Sequence, residues 1–237
     1  MKLCIALDNE NLQENLYLLE SLNALSTSQK QDIWLKVGLR SFIRDGVSGL
    51  ESIKKYGAYK IFLDLKLYDI PNTMLDAIIE VQKLGVDMLT IHTSCGLRAM
   101  KEIARLKEKY QMPLIIGVSA LTSFDNDEFM EVYNAPVFSH TLKLASLAYK
   151  AGIDGVVCST YESLAIKQRT DSSFLTITPA IRPFGENAGD QKRVATLRDA
   201  LDCKSDFAVI GRPIYKADKP IAVVQDILKA MNGSMWR

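Results

Sequence analysis

No glycine-rich G-x-G-x-x-G run follows the first apolar segment; Leu7 leads instead into Asp8, Asn9 and Glu10. That absence argues against an open doubly wound sheet that binds a dinucleotide. Cysteine and histidine are scarce. The four cysteines, Cys4, Cys95, Cys158 and Cys203, lie far apart, and neither a C-x-x-C pair nor a Cys/His cluster exists. This excludes a zinc site and a disulfide framework and reads as a reduced, cytosolic chain. No apolar run approaches the roughly 18 residues that span a membrane. The opening MKLCIAL is cut short by Asp8 before it reaches the length of a secretory core. Nor is there an excess of charge of one sign: 29 Lys and Arg face 28 Asp and Glu, a net of +1. No global field exists to hold nucleic acid or an anionic membrane, so any phosphate recognition must be local.

What is present is a globular composition, with 48% apolar and 24% charged residues in 237 positions. Eight short apolar runs recur along it: Leu3–Leu7, Ile33–Val37, Ile61–Leu65, Asp87–Ile91, Leu114–Val118, Asp154–Cys158, Phe174–Ile177 and Phe207–Ile210. Their starts are about 20 to 40 residues apart, the repeat of β–loop–α units. Between them apolar residues fall at helical spacing, as in Leu12, Leu16 and Leu19, in Leu142, Ala145 and Ala148, and in Val224, Ile227 and Leu228. Pro71 and Pro220 suit first turns of helices, and Gly85 and Gly152 suit helix ends. The runs are almost continuously apolar, which fits parallel strands covered on both faces. Eight such strands alternating with helices predict a single-domain α/β chain, a (β/α)8 TIM barrel over residues 1–237. Residues 232–237 form a basic tail expected to fray. Pro179 to Lys192 is expected to be a mobile loop after strand seven.

In a barrel, functional groups belong at the carboxyl ends of the strands. Strand one ends in Asp8 and strand two carries Lys36. In strand three, period-two geometry puts Asp64 and Lys66 on the face of Phe62, pointing into the barrel, and Asp69 follows as the chain leaves. The flanking Ile61, Leu63, Leu65 and Leu67 leave no solvated face, so a structural ion-pair network and a functional site are the two readings. Buried charges must be paired, and an alternating Lys, Asp, Lys, Asp set does this; the site is the favoured reading. Gly211 at the end of strand eight would let a backbone N–H approach an anion, and Arg212 can grip a phosphate bidentately. The long loop before it supplies Arg182, Gln191, Lys192 and Arg193. His92 ends strand four and reads as a packed core residue; His140 reads as a surface residue. Ser119, Thr122 and Ser123 follow strand five and either read a polar ligand edge or turn the chain. No activated Ser or Cys and no metal-ligand cluster is apparent.

The run Asp64-Leu65-Lys66-Leu67-Tyr68-Asp69-Ile70-Pro71-Asn72-Thr73 resembles the D-x-K-x-x-D-I-P-N-T signature of the orotidine 5′-phosphate decarboxylase family, in its bacterial form. The resemblance extends over essentially the whole chain. It includes Ala6-Leu7-Asp8, Leu35 to Gly38, Leu121-Thr122-Ser123, Asp154 to Ser159, Thr178-Pro179 with Ile181-Arg182-Pro183, Gly189-Asp190-Gln191 and Ile210 to Pro213, in family order. One departure is Ala180, where bacterial members usually carry Gly, a change read as stiffening the phosphate loop. The resemblance implies a homodimeric barrel that converts orotidine 5′-monophosphate to uridine 5′-monophosphate and CO2, the last step of de novo pyrimidine synthesis. It implies no metal and no organic cofactor.

By matching position, Lys36, Asp64 and Lys66 join Asp69 of the partner subunit in a charged tetrad, with Lys66 as proton donor. Asp8 and Lys36 then bind the ribose. Asp69 and Thr73 reach across the interface. Thr122 lies near the pyrimidine, and Gln191, the Gly211 backbone and Arg212 hold the phosphate, with Arg182 on the same loop. Two rivals stay open: a Mg2+-dependent sugar-phosphate decarboxylase or aldolase of the same barrel group, and a silent phosphate-binding barrel. Ile70-Pro71-Asn72-Thr73 argues against the first and the intact Asp64 and Lys66 against the second.

Overall fold

Each of the eight apolar runs becomes a parallel strand, and the eight close on themselves. The computed structural model describes residues 1–57, 59–185 and 193–233. The strands are β1 (Lys2–Ala6), β2 (Ile33–Gly38), β3 (Lys60–Leu67), β4 (Met88–His92), β5 (Leu114–Val118), β6 (Gly155–Val157), β7 (Leu175–Thr178) and β8 (Phe207–Ile210). They pair in sequence order, and β8 pairs back on β1, a closed barrel. The helices among the described residues are α1 (Leu12–Ser21), α2 (Thr27–Gln31), α3 (Leu39–Lys54), α4 (Pro71–Lys83), α5 (Gly96–Arg105), α6 (Asn126–Tyr133), α7 (Val137–Ala151), α8 (Thr160–Arg169), α9 (Leu197–Asp202), α10 (Arg212–Tyr215) and α11 (Pro220–Met231). No helix among the described residues is long and apolar enough to cross a membrane.

Alternation along the strands builds two cores. Cys4, Ala6, Trp34, Phe62, Met88, Ile116, Ile177, Phe207 and Val209 fill the barrel interior. The Trp34 and Phe207 rings meet edge to face there at 5.1 Å. Leu3, Ile5, Leu7, Ile33, Leu35, Leu63, Leu89 and Ile115 point outward and pack under the helices. The interior is thus filled with apolar side chains below its upper rim, which leaves the carboxyl ends as the place where polar groups can open onto a cavity.

The strand limits predicted from sequence shift where aspartates intervene. Asp87 and Asp154, read as the first residues of strands four and six, lie just outside them. Asp87 accepts the Ile61 N–H at 2.8 Å, Asp154 the Ile115 N–H at 2.7 Å, and Asp206 the Thr176 N–H at 2.7 Å. Each carboxylate latches the N–H of the second residue of the preceding strand. Proline at the first turn of α4 and α11 and left-handed Gly152 at the end of α7 match expectation. The loop expected to be mobile is described from Pro179 to Gly185, where Ile181 bridges to Ala195. Its remainder, Gln191 and Lys192 included, lies outside the described residues, as does the tail from residue 234 onward.

Candidate active site

A cavity of about 300 Å³ opens at the carboxyl rim of the barrel. Its floor is apolar, made by Ala6, Phe62, Val118, Val157, Ile177 and Val209. On one side stands a row of alternating charge. Lys36 Nζ lies 3.3 Å from both Asp8 carboxylate oxygens and 3.7 Å from Asp64 Oδ2; the same Oδ2 takes Lys66 Nζ at 2.8 Å. The order is Asp8, Lys36, Asp64, Lys66. Gly38 leaves room for it, since a Cβ there would stand 2.8 Å from the Lys36 ammonium and displace it.

Lys36 and Asp64, the two buried members, keep their charge because each has neighbours of opposite sign. Burial opposes the charged form of Lys36, but Asp64 and Asp8 outweigh it and its pKa lies above the ordinary lysine value. Burial likewise opposes the Asp64 carboxylate, while Lys36, Lys66 and hydrogen bonds from Lys66 and Thr90 hold its pKa below the ordinary range. Asp64 is almost fully buried and Lys66 is the more open of the pair.

Across the cavity lie Thr122 and Ser123 after β5, Ala180 and Arg182 after β7, and Gly211 and Arg212 after β8. Arg182 is buried, its backbone N–H held by the Ala195 carbonyl at 2.8 Å and its guanidinium by the Ile181 carbonyl at 3.2 Å. The structure therefore gathers Asp8, Lys36, Asp64, Lys66, Thr122, Arg182, Gly211 and Arg212 around one space. Asp69 and Thr73 stand outside it, exposed; Asp69 Oδ1 accepts the Ile70 N–H at 2.7 Å. Gln191 is outside the described residues.

Other candidates resolve into structural roles. Ser119 is buried and donates to the Val157 carbonyl at 2.7 Å. His92 packs against the Tyr68 ring at 5.5 Å, and its Nδ1 accepts the Ser94 N–H at 3.3 Å. His140, read as a surface residue, is half-buried against Phe129 and Tyr133. Arg193, read with the anion-binding loop, is committed elsewhere. It pairs with buried Glu162 at 2.5 Å and donates to the Leu121 carbonyl at 3.1 Å, fastening the end of that loop to its neighbours. Thr90, which sequence reasoning passed over, touches Asp64 at 2.9 Å from the fully buried interior of β4. Its one signal was a hydroxyl inside an otherwise apolar, doubly covered strand, a group that must find a partner. Among the described residues no group of three or more His, Cys, Asp or Glu could hold a metal ion.

Residues 1–227 match the profile of the orotidine 5′-phosphate decarboxylase / HUMPS family. The chain is 52% identical over 230 residues to the orotidine 5′-phosphate decarboxylase of Nitratiruptor sp., covering 96% of this chain and 99% of that protein. It is 50% identical over 230 residues to the enzyme of the same name from Campylobacter concisus, covering 97% and 99%. Among solved structures, orotidine 5′-phosphate decarboxylase from Lactobacillus acidophilus superposes with a TM-score of 0.81 at 30% identity, covering 98% of this chain and 99% of that one.

Proposed function

The chain belongs to the orotidine 5′-phosphate decarboxylase / HUMPS family, and from that premise we infer that it converts orotidine 5′-monophosphate to uridine 5′-monophosphate and CO2 in pyrimidine synthesis. The observation that carries the reading is the row Asp8, Lys36, Asp64, Lys66 at the wall of a cavity with an apolar floor. Loss of CO2 breaks the bond to C6 of the pyrimidine and leaves the electron pair on C6, in the ring plane, where the π system gives little help. A fixed ammonium is the stabiliser this site offers. Lys66 ends the row, faces the cavity and carries the proton that C6 then takes; the neutral amine regains a proton from solvent. Two unit charges about 4 Å apart interact by roughly 4 kcal/mol at an effective dielectric of 20, about three decades of rate if gained only in the transition state. Asp64 and Lys36 hold the row in place before reaction, so little reorganisation accompanies the charge development.

Asp8 and Lys36 bind the ribose and Thr122 the pyrimidine edge. Arg212, the Gly211 backbone, Arg182 and Gln191 bind the phosphate. No step in this scheme is assigned to a metal or organic cofactor. The enzyme acts as a homodimer in which Asp69 and Thr73 of the partner subunit complete the site. Two features support this: both residues are exposed outside their own cavity, and Asp69 is flanked by Tyr68 and Ile70, 64% and 67% exposed. The four free cysteines fit a reducing compartment, and we place the enzyme in the cytoplasm.

The test is the absorbance change on mixing the protein with orotidine 5′-monophosphate in EDTA. Turnover in EDTA is the expected result. Activity that appears only with added Mg2+ would point to enediolate chemistry on a sugar phosphate. Binding without turnover would point to a phosphate-binding barrel.

A further inference from the structure

Strand β3 loses step with β4 at the active site. Phe62 and Leu63 pair with Met88 and Leu89, but the next pair is Leu67 with Ile91. Asp64, Leu65 and Lys66 therefore all lie opposite one residue, Thr90. Within this bulge Lys66 takes φ +52°, the left-handed region that residues with a side chain avoid. A conformation of that kind persists only where its surroundings hold it.

Thr90 is what holds it. Its hydroxyl accepts the Lys66 backbone N–H at 2.9 Å and meets Asp64 Oδ1 at 2.9 Å. An N–H can only donate, so the hydroxyl proton goes to the carboxylate. The other carboxylate oxygen, Oδ2, is left for the Lys66 and Lys36 ammoniums. One buried hydroxyl thus sets the backbone from which the Lys66 side chain springs and the rotation of the carboxylate that receives it. Thr90 does not line the cavity.

We propose that Thr90 is a positioning residue for the decarboxylation, acting through Asp64 and the Lys66 backbone rather than on substrate. The proposal rests on the catalytic reading of Lys66 given above. Thr90→Val keeps the shape and removes the hydroxyl, whereas Thr90→Ser keeps the hydroxyl and removes the methyl. A hydrogen bond to a charged group converts to about a 10- to 150-fold effect, so Thr90→Val should lower kcat by about that much. KM should stay within about threefold, because no substrate contact is lost. Thr90→Ser should restore kcat to within about threefold of the wild type. A residue that merely filled space would show the reverse order, with Val tolerated and Ser impaired. Thr90→Val with near-normal kcat, or Thr90→Ser as impaired as Thr90→Val, would overturn the assignment. Should Thr90→Val fail to fold, Thr90→Ser is compared with Thr90→Ala; both leave space, and a kcat at least about tenfold higher for Ser upholds the proposal while equality overturns it. A wild-type protein that leaves orotidine 5′-monophosphate unchanged would overturn the decarboxylase reading, and this assignment with it.

Discussion

Arg212 and His92 carry the same kind of question at the scale of one residue: what does a single polar group do at the rim of an apolar barrel? With a net charge of only +1, the chain has no overall field to attract a phosphate, and in the proposed scheme the Arg212 guanidinium beside Gly211 is one of the groups that binds it by contact. Charge-assisted hydrogen bonds contribute about 1.5–3 kcal/mol, or roughly 10- to 150-fold in affinity. Arg212→Ala should weaken uridine 5′-monophosphate by that factor in calorimetric titration and leave uridine almost unaffected. Equal losses for nucleotide and nucleoside would remove Arg212 from the phosphate. His92 behaves in the opposite sense, as a group that prefers to be neutral. Burial first, and the nearby Lys66 second, hold its pKa below the usual 6.5. Just below that value the unfolded chain binds more protons than the folded one, so stability falls as pH falls. His140 shifts the same way, by burial and by Lys143, and adds to the effect. The urea midpoint should therefore drop between about pH 7.5 and 5.5, and His92→Gln should flatten that slope. An unchanged slope in the variant would mean that His92 gains its proton as easily folded as unfolded.

Elements differ in how much of themselves they write into the sequence. The eight strands were legible because each is an almost continuous apolar run, and Leu114–Val118 and Phe207–Ile210 end where the apolar runs end. Boundaries at Asp87 and Asp154 were misread because a latching carboxylate and a strand residue look alike in one dimension. The placing of Asp64 and Lys66 on one face was legible from period two, yet the bulge between them and β4 was not, since a register slip depends on the neighbouring strand. Ala180 shows the same limit. The resemblance singles out Ala180 as standing where Gly is usual, but why Gly would suit the place is a backbone angle that sequence does not reveal: Ala180 sits at φ +63° as the chain leaves β7. A left-handed non-glycine residue costs roughly 1–2 kcal/mol, and a glycine gives back about 0.4–1 kcal/mol through the freer unfolded chain. Ala180→Gly should therefore stabilise by on the order of 0.5–1 kcal/mol, raising Tm by about 1–4 °C. A lower Tm would show that this turn accommodates Ala180 without strain.

At the scale of the whole molecule, the chain leaving β2 and β3 carries exposed large apolar side chains. Ile43 on α3 is 74% exposed, and Leu39 beside it is exposed too. These follow β2, while Tyr68 and Ile70, on either side of exposed Asp69, follow the adjacent strand β3. In the proposed homodimer, a second copy related by a two-fold axis would cover these side chains and at the same time carry each Asp69 toward the other chain's row of charge. Lys66 and Asp69 are three residues apart in sequence, yet in this arrangement they serve different sites. Take two variants, Lys66→Ala and Asp69→Ala, each expected to be inactive as a homodimer, and let their subunits exchange. A mixed dimer holds one site with both lesions and one with neither. Random pairing makes about half the dimers mixed, so roughly a quarter of all sites should recover. If Lys66 and Asp69 of one chain met in one site, every site would keep a lesion and mixing would restore nothing. Activity before and after exchange at fixed total protein distinguishes the two, with exchange verified by a mass tag on one variant. Recovery near a quarter places Asp69 in the neighbour's site; absence of recovery in verified mixed dimers returns it to its own.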